Sequence, residues 1–139
     1  MHRLVIQEVP PSGNIQKRLH WARYSKLLAR WFMLVRTAPG FLDIPGPVGR
    51  RSVTLIRHGT RLLDRDNLYS SMKPVLDVLR PRKKEEGWFK SGPRQGQYWT
   101  RERIGHGLII DDDPAHLNLE VLQVKTTKGQ DPFLEILFD

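Results

Sequence analysis

Residues 50–79, RRSVTLIRHGTRLLDRDNLYSSMKPVLDVL, contain the clearest strand of the sequence and a helix directly after it. The segment 50–58 is rich in β-branched residues, which favour strands. Beyond it, Asp66 or Asn67 suits a helix N-cap, and apolar residues then recur at helical spacing through residue 79. Pro74 removes a backbone donor and disfavours helical geometry at Lys73, so we expect a kink or a restart near Lys73.

The rest of the chain predicts three more strands, a long helix and an insertion. The segment 3–9 alternates as a strand does, and PPSGN at 10–14 ends it. From 15 to about 38, apolar residues fall at helical steps and basic residues form a stripe on another face. The segments 117–127 and 132–139 have strand character. The region 80–104 has no clear period, so it is a long loop or a bent hairpin.

The expected order is therefore β, α, β, α, insertion, β, β. It predicts one small α/β (α+β) domain over residues 1–139, with a mixed β-sheet flanked by helices.

The composition limits the functions that this chain can have. It has 139 residues, no cysteine and a formal net charge of +8. Disulfides and thiolate metal sites are thus excluded, and any metal must bind oxygen or imidazole. Basic residues cluster in 1–36 and 80–103, which favours a polyanionic partner such as nucleic acid. We found no apolar run long enough for a membrane span and no signal-peptide pattern, so we expect a soluble cytoplasmic protein.

Two groups of acids stand out in this basic chain. Asp64 and Asp66 follow the strand 50–58, and if 62–66 is still extended, both side chains point to one face. A second group, Asp111 to Asp113, ends another apolar run. If the two groups lie close together, they would attract a hard cation such as Mg²⁺ or Mn²⁺, which binds carboxylate oxygen. A basic surface beside an acidic metal pocket is suited to phosphodiester cleavage. Either motif alone is also typical of a helix cap or a solvated turn.

Three stretches resemble the RusA-like Holliday junction resolvases, a family with many phage and prophage members. PPSGN followed by LHWARYSK is similar to the amino-terminal signature of that family. DRDNLYSSMKPVLDVL resembles its central acidic motif, and GLIIDDDPAHLNLEVLQVKTTKG resembles its acidic turn and closing strands. Together the three stretches cover somewhat under half of the chain, in the order of the family.

The resemblance implies a homodimeric, Mg²⁺-dependent endodeoxyribonuclease that resolves four-way DNA junctions by paired symmetric nicks in recombination and repair. It implies that Asp64, Asp66 and Asp112 are catalytic metal ligands, with Asp111 as an adjacent ligand. Asp77 matches a further helix acid. The functional lysine of the family matches Lys73 when counted back from Asp77, or Ser70 when counted from Asn67, and we prefer Lys73. The insertion is longer than the minimal connection of the family.

Exposed basic residues would bind DNA phosphates, and those that we assign to this role are Arg23, Lys26, Arg30, Arg61, Arg65, Lys83, Lys84, Arg101 and Arg103. In the insertion, Trp88, Phe89, Tyr98 or Trp99 could stack on exposed bases. Alternatively, these aromatic residues pin a hairpin onto the core. We assign Trp21 and Trp31 to the core or a dimer interface, and the histidines to surface or packing positions. Two other functions stay open: a non-catalytic basic DNA-binding protein, and a nuclease for other branched DNA.

Overall fold

A four-stranded mixed β-sheet forms the centre of the fold in the computed structural model, which describes residues 1–139. The strands are β1 (His2–Ile6), β2 (Arg51–Gly59), β3 (Lys83–Trp88), β4 (Tyr98–Arg103), β5 (Leu117–Lys125) and β6 (Phe133–Phe138). The sheet has the order β1-β6-β2-β5, in which β6 is antiparallel to both of its neighbours and β2 is parallel to β5. The predicted mixed sheet and single small α+β domain are therefore confirmed.

Four α-helices and one 3₁₀ turn connect these strands. They are α1 (Gly13–Gln16), α2 (Trp21–Thr37), the 3₁₀ turn Phe41–Asp43, α3 (Arg65–Ser71) and α4 (Lys73–Leu79). The predicted break near Lys73 is confirmed, because α3 ends at Ser71 and Pro74 lies in the first turn of α4. Proline is tolerated there because the first turn of a helix lacks intrahelical acceptors for its N–H groups.

The single helix predicted from residue 15 to about 38 is divided into α1 and α2. The side chain of His20 accepts a hydrogen bond from the backbone N–H of Ala22 and thereby caps α2. Trp31 is fully buried, as expected. Trp21 is 74% exposed, so its assignment to the core of this chain was wrong. It lies in the first turn of α2, where the helix extends past the sheet-facing core.

The helices cover one face of the sheet only. Alternate strand residues face the helices and form the buried core with α2, α3 and α4; the strand residues are Leu4, Ile6, Val53, Leu55, Leu117, Val121, Leu134, Ile136 and Phe138. The opposite face carries Val5, Ile56, Leu122, Val124 and Leu137, which are partly or largely exposed. The sheet is thus flanked by helices on one side and open on the other.

Two parallel strands and the helices between them form a crossover. The chain leaves β2, passes through α3 and α4 and enters β5, which pairs in register from Arg51↔Leu117 to Gly59↔Lys125. The insertion 80–104 interrupts this crossover as a two-stranded antiparallel ribbon, β3 and β4, which pairs only with itself. Of the two predicted alternatives for this region, the hairpin is therefore observed.

One local expectation from the sequence was wrong. Asp66 lies in the first turn of α3 rather than in an extended segment, because Asp64, not Asp66 or Asn67, caps the helix. The apolar run before the second acidic group does not form a strand. The backbone N–H groups of Leu108 and Ile109 instead both donate to the carbonyl oxygen of Leu79, which fixes this loop against the end of α4.

None of the helices is long and apolar enough to cross a membrane.

The segment that contains PPSGN packs directly on α3. A Cβ atom at Gly13 would lie 2.4 Å from the Cβ of Ser70, so only glycine allows this approach. The side-chain amide of Gln16 donates to the carbonyl oxygens of Pro11 at 2.8 Å and Ser71 at 2.9 Å. The first and second stretches of the resemblance, which are more than 50 residues apart in sequence, are therefore in contact.

The close contact between α1 and α3 leads to a prediction about stability. Gly13→Ala should lower the free energy of unfolding by about 1–3 kcal/mol, because the added methyl group overpacks the contact with Ser70. The measurement is urea unfolding followed by circular dichroism. The matched control is Gly46→Ala, since a Cβ at Gly46 meets nothing within 4 Å. In a Gly13→Ala/Ser70→Gly double variant the two losses should not add, and full additivity would argue against the contact.

Candidate functional site

Asp64 and Asp66 stand at the start of α3 in different environments. One carboxylate oxygen of Asp64 accepts a hydrogen bond from the backbone N–H of Asn67 at 2.9 Å, and the other accepts from the Asn67 side-chain amide, also at 2.9 Å. Asp66 is exposed and makes no hydrogen bond or ion pair within the chain. Both carboxylates lie at a helix N-terminus, where the partial positive charge of the helix stabilises an anion. The Asp66 carboxylate is therefore not paired with any other group of the chain.

The second acidic group lies in the loop before β5. The carboxylate of Asp111 accepts a hydrogen bond from the backbone N–H of Asp112 at 2.8 Å. This hydrogen bond is the main cause that lowers the pKa of Asp111. Carboxylate oxygens of Asp111 and Asp112 each lie 3.7 Å from the guanidinium of Arg80. Arg80 thus partly neutralises this pair.

Asp77 is the centre of a buried polar network. Its side chain is 8% exposed, and it accepts hydrogen bonds from the Tyr24 hydroxyl at 2.7 Å, the Lys73 ammonium at 3.0 Å and the Arg80 guanidinium at 2.7 Å. Burial, together with the hydrogen bond to the Asp77 carboxylate, raises the pKa of Tyr24 above its ordinary value. Tyr24 therefore remains protonated and acts as a donor. The network joins α2 to α4 and orients both Lys73 and Arg80.

The structure does not bring the two acidic groups together within one chain. Leu63, next to Asp64, hydrogen-bonds through its backbone to the side chain of Gln123 in the second half of β5. The group 111–113 immediately precedes the start of β5 at Leu117. Gln123 is six residue steps along the strand from Leu117, which is about 20 Å at roughly 3.3 Å per residue. Accordingly, no three acidic or histidine side chains of the chain are close enough to hold a metal ion.

A cleft of about 430 Å³ opens beside α3, and its lining residues are Gly13, Gln16, Lys17, Tyr24, Ser70 and Lys73. Ser70 and Lys73, the two alternatives for the functional lysine of the family, both line it. Lys73 lies against Tyr24, with its ammonium 3.4 Å from the hydroxyl oxygen and 5.1 Å from the ring centre. None of the acids predicted to bind metal lines this cleft. Two ammonium groups and several polar donors make it suited to an anion such as a phosphate group.

The residues predicted to bind DNA are mostly exposed and lie on several elements. Arg23, Lys26 and Arg30 are exposed on α2, and Arg30 forms an ion pair with Glu8. Arg61 and Arg65 are exposed on either side of Asp64. On the ribbon, Lys83, Lys84 and Arg101 are exposed, whereas Arg103 is partly buried.

The sequence does not predict the roles of three residues in this region. Tyr24 was assigned to an apolar helix face, although its hydroxyl is a donor to Asp77. Arg80 lies in the segment 80–104 that the sequence predicts as an insertion. No sequence pattern marks Gln16 as a site residue. The spacing of Lys73, Asp77 and Arg80, four and three residues apart, is the signal that could have found part of the network, because such residues share one helix face.

The histidines have packing roles, as expected. His106 stacks on Phe32, with ring centres 3.9 Å apart, and its Nε2 lies 2.8 Å from the Phe32 carbonyl oxygen. Burial lowers the pKa of His106. His58 stacks on Phe133 and pairs with Glu135 on the open face of the sheet. Neither ring lies in a group that could hold a metal ion.

No protein-family model, no curated protein and no solved structure matches this chain. The resemblance to RusA-like resolvases therefore rests on the three quoted stretches.

The Asp77 network leads to a prediction about stability. Asp77→Asn should lower the free energy of unfolding by about 2–4 kcal/mol, because Arg80 and Lys73 lose the buried charge that they bond. Tyr24→Phe removes one hydrogen bond and should cost about 1 kcal/mol. The measurement is urea unfolding, with Asp131→Asn as a control at an exposed acid. Equal stability of the Asp77→Asn and Asp131→Asn variants would contradict the role assigned to the network.

Proposed function

We propose that this protein is a Mg²⁺-dependent endodeoxyribonuclease of the RusA-like kind, which resolves four-way DNA junctions by paired symmetric nicks. The observation that supports this most directly is the contact of the PPSGN segment with α3. Two separate stretches of the resemblance form one surface there, and a lysine-lined cleft lies beside it. The net charge of +8 suits a polyanionic substrate.

The side chains around the cleft have separate roles in this proposal. Lys17 and Lys73 bind phosphate groups of the DNA backbone near the scissile bond. Tyr24 and Asp77 hold the Lys73 ammonium in place, so that little reorganisation is needed when DNA binds. Asp66, which has no partner within the chain, is free to act at the reaction centre together with Asp64.

Each acidic group of the chain offers Mg²⁺ a pair of carboxylates. Mg²⁺ is usually bound by one or two carboxylates together with waters and substrate phosphates, and each acidic group of this chain offers such a pair. Asp64 and Asp66 would hold one Mg²⁺ ion. Asp111 and Asp112 would form the second pair of carboxylate ligands. Mn²⁺ would also fit. When bound, the metal would activate a water and stabilise negative charge on the phosphate.

We further propose a twofold homodimer that packs through the open face of the sheet. This face carries partly or largely exposed apolar residues on all four strands, and no other part of the chain covers it. A twofold axis perpendicular to the strands makes the two sheets run in opposite directions. The Asp66 end of one chain then lies at the same end of the dimer as the Asp112 end of its partner. Each chain contributes one site, and two sites related by a twofold axis suit the two equivalent strands of a junction.

The nuclease proposal is tested with a synthetic four-way junction and the matching linear duplex. Paired nicks on opposite strands of the junction, dependent on Mg²⁺, are expected. Asp66→Asn should reduce nicking at least about a hundredfold, a loss of several kcal/mol of transition-state stabilisation. Binding should be kept or strengthened, because a negative charge near phosphate is removed. The control is Asp131→Asn. Loss of binding together with cleavage would count against the assignment.

The dimer is tested by analytical ultracentrifugation of the wild-type protein, which should sediment with twice the mass of one chain. A profile that shows only monomers would refute the dimer.

A second candidate is a non-catalytic basic DNA-binding protein. The observation in its favour is that Asp64 caps α3, which is a sufficient structural reason for this acid. Such a protein would bind DNA with a steep salt dependence and without any requirement for Mg²⁺. A nuclease for other branched DNA would share the chemistry of the first proposal and differ in the substrate geometry alone, so flap and three-way substrates belong in the same nicking assay.

A further inference from the structure

The ribbon formed by β3 and β4 extends from a fixed base. A Cβ atom at Gly105 would lie 2.0 Å from the carbonyl oxygen of Arg80, so the two chain segments at the base of the ribbon touch backbone to backbone. The backbone N–H of Gly107 donates to that same carbonyl oxygen, and the backbone N–H of His106 donates to Val78. Because β3 and β4 form no ladder with the main sheet, the rest of the ribbon depends on its own contacts.

On one face of the ribbon, the side chains pack and pair with one another. Trp99 lies across Gly87, where a Cβ atom would come within 2.8 Å of the indole ring. Glu85 on this face is paired with Arg101 at 2.6 Å, and the Arg103 guanidinium lies 4.0 Å away. Trp99 is therefore a structural residue that packs within the ribbon and not on the core.

The other face presents two aromatic rings to solvent. Trp88 and Tyr98 are directly opposite each other in the ladder, with ring centres 5.0 Å apart and planes inclined by 60°. Trp88 is 63% exposed and Tyr98 is 48% exposed. Glu86 lies on the same face of the ribbon, and its interaction with the Tyr98 hydroxyl raises the pKa of Tyr98. Most of the indole surface of Trp88 has no partner.

The surroundings of this pair are basic. The turn between the two aromatic residues, 89–97, contains Lys90 and Arg94 and no acid. Of the two acids on the same face of the ribbon, Glu102 is paired with Arg82 and Glu86 lies beside Tyr98. The Arg94 guanidinium lies 5.9 Å from the ring centre of Phe89, the residue after Trp88. A protein partner for an exposed aromatic pair does not require this excess of positive charge. A nucleic acid offers both what the rings bind, a flat base, and what the cations bind, a phosphate.

Resting on the proposed function, we propose that Trp88 and Tyr98 form a platform on which an unpaired base of branched DNA stacks, while Lys90 and Arg94 bind the adjacent phosphates. Bases inside a duplex are already stacked and do not offer a free face to the ribbon. A branch point, a gap or a bulge does. The platform would therefore give the enzyme a preference for DNA with unpaired or unstacked bases, independent of the acids at α3.

The test compares two DNA probes: a fluorescein-labelled duplex with a three-nucleotide bulge of 2-aminopurine, and the same duplex without the bulge. Ca²⁺ replaces Mg²⁺ so that binding is measured without cleavage. The key variant is Trp88→Leu, which keeps an apolar neighbour for Tyr98 but removes the aromatic face. The matched control is Trp21→Leu, because Trp21 is equally exposed and lies outside the ribbon. Trp88→Phe serves as the conservative variant.

We expect Trp88→Leu to raise the Kd for the bulged probe about tenfold, as the loss of one stacked base implies. Its Kd for the intact duplex should stay unchanged. Trp88→Phe and Trp21→Leu should both resemble the wild type. The wild-type protein should also change the 2-aminopurine fluorescence of the bulge, and Trp88→Leu should not.

Several results would overturn the platform. Equal affinity of Trp88→Leu and the wild type for the bulged probe would do so. Equal weakening for both probes would also refute it, since the aromatic pair would then only support the ribbon. In either case Mg²⁺-dependent nicking of a junction by the wild type would leave the proposed function standing. If the wild type bound neither probe and nicked no junction, the proposed function itself would fail.

Discussion

The buried carboxylate of Asp77 connects the parts of the molecule on which its surface chemistry depends. It receives one hydrogen bond from α2, through Tyr24, and two from α4 and its C-terminal cap residue, through Lys73 and Arg80. A buried carboxylate without these donors would be strongly unfavourable, so the three groups are held where they are needed to satisfy it. Lys73 is thereby directed into the cleft and Arg80 towards the loop with Asp111 and Asp112. One internal charge thus determines where two external charges lie.

The parallel pairing of β2 with β5 sets a second constraint. A crossover between parallel strands must return the chain to the starting end of the sheet. Because Asp64 and Asp66 follow β2 and Asp111 and Asp112 precede β5, the two groups lie at opposite ends of the same pair of strands. The topology itself therefore separates them, and no side-chain rotation within one chain can join them.

The parts of the fold that depend on local patterns could be predicted from the sequence. Strand alternation located the four strands of the main sheet, and Pro74 located the break between α3 and α4, since both effects involve only near neighbours. The errors arose where distant contacts decide. Trp21 has a helical apolar spacing, but its side chain points away from the core and is largely exposed beside the His20 ring. Leu108 and Ile109 are as apolar as a strand, but their N–H groups bond to the end of α4. At the site, the acids and Lys73 could be identified from the sequence. The role of Tyr24 could not, because Asp77, which accepts its hydrogen bond, lies 53 residues away.

The environments of the acids explain why so basic a chain concentrates carboxylates in its central motif. Asp64 caps a helix, Asp77 binds three donors, and Asp111 and Asp112 share Arg80. Each of these charges has a partner that lowers the cost of its burial or its repulsion. Asp66 is different, because it is exposed and unpaired in the first turn of α3, directly after Arg65 in sequence. A chain whose only need was a helix cap would be served by Asp64 alone. The second carboxylate adds a negative charge to an otherwise basic surface without any partner within the chain, so the packing of the helix does not explain it.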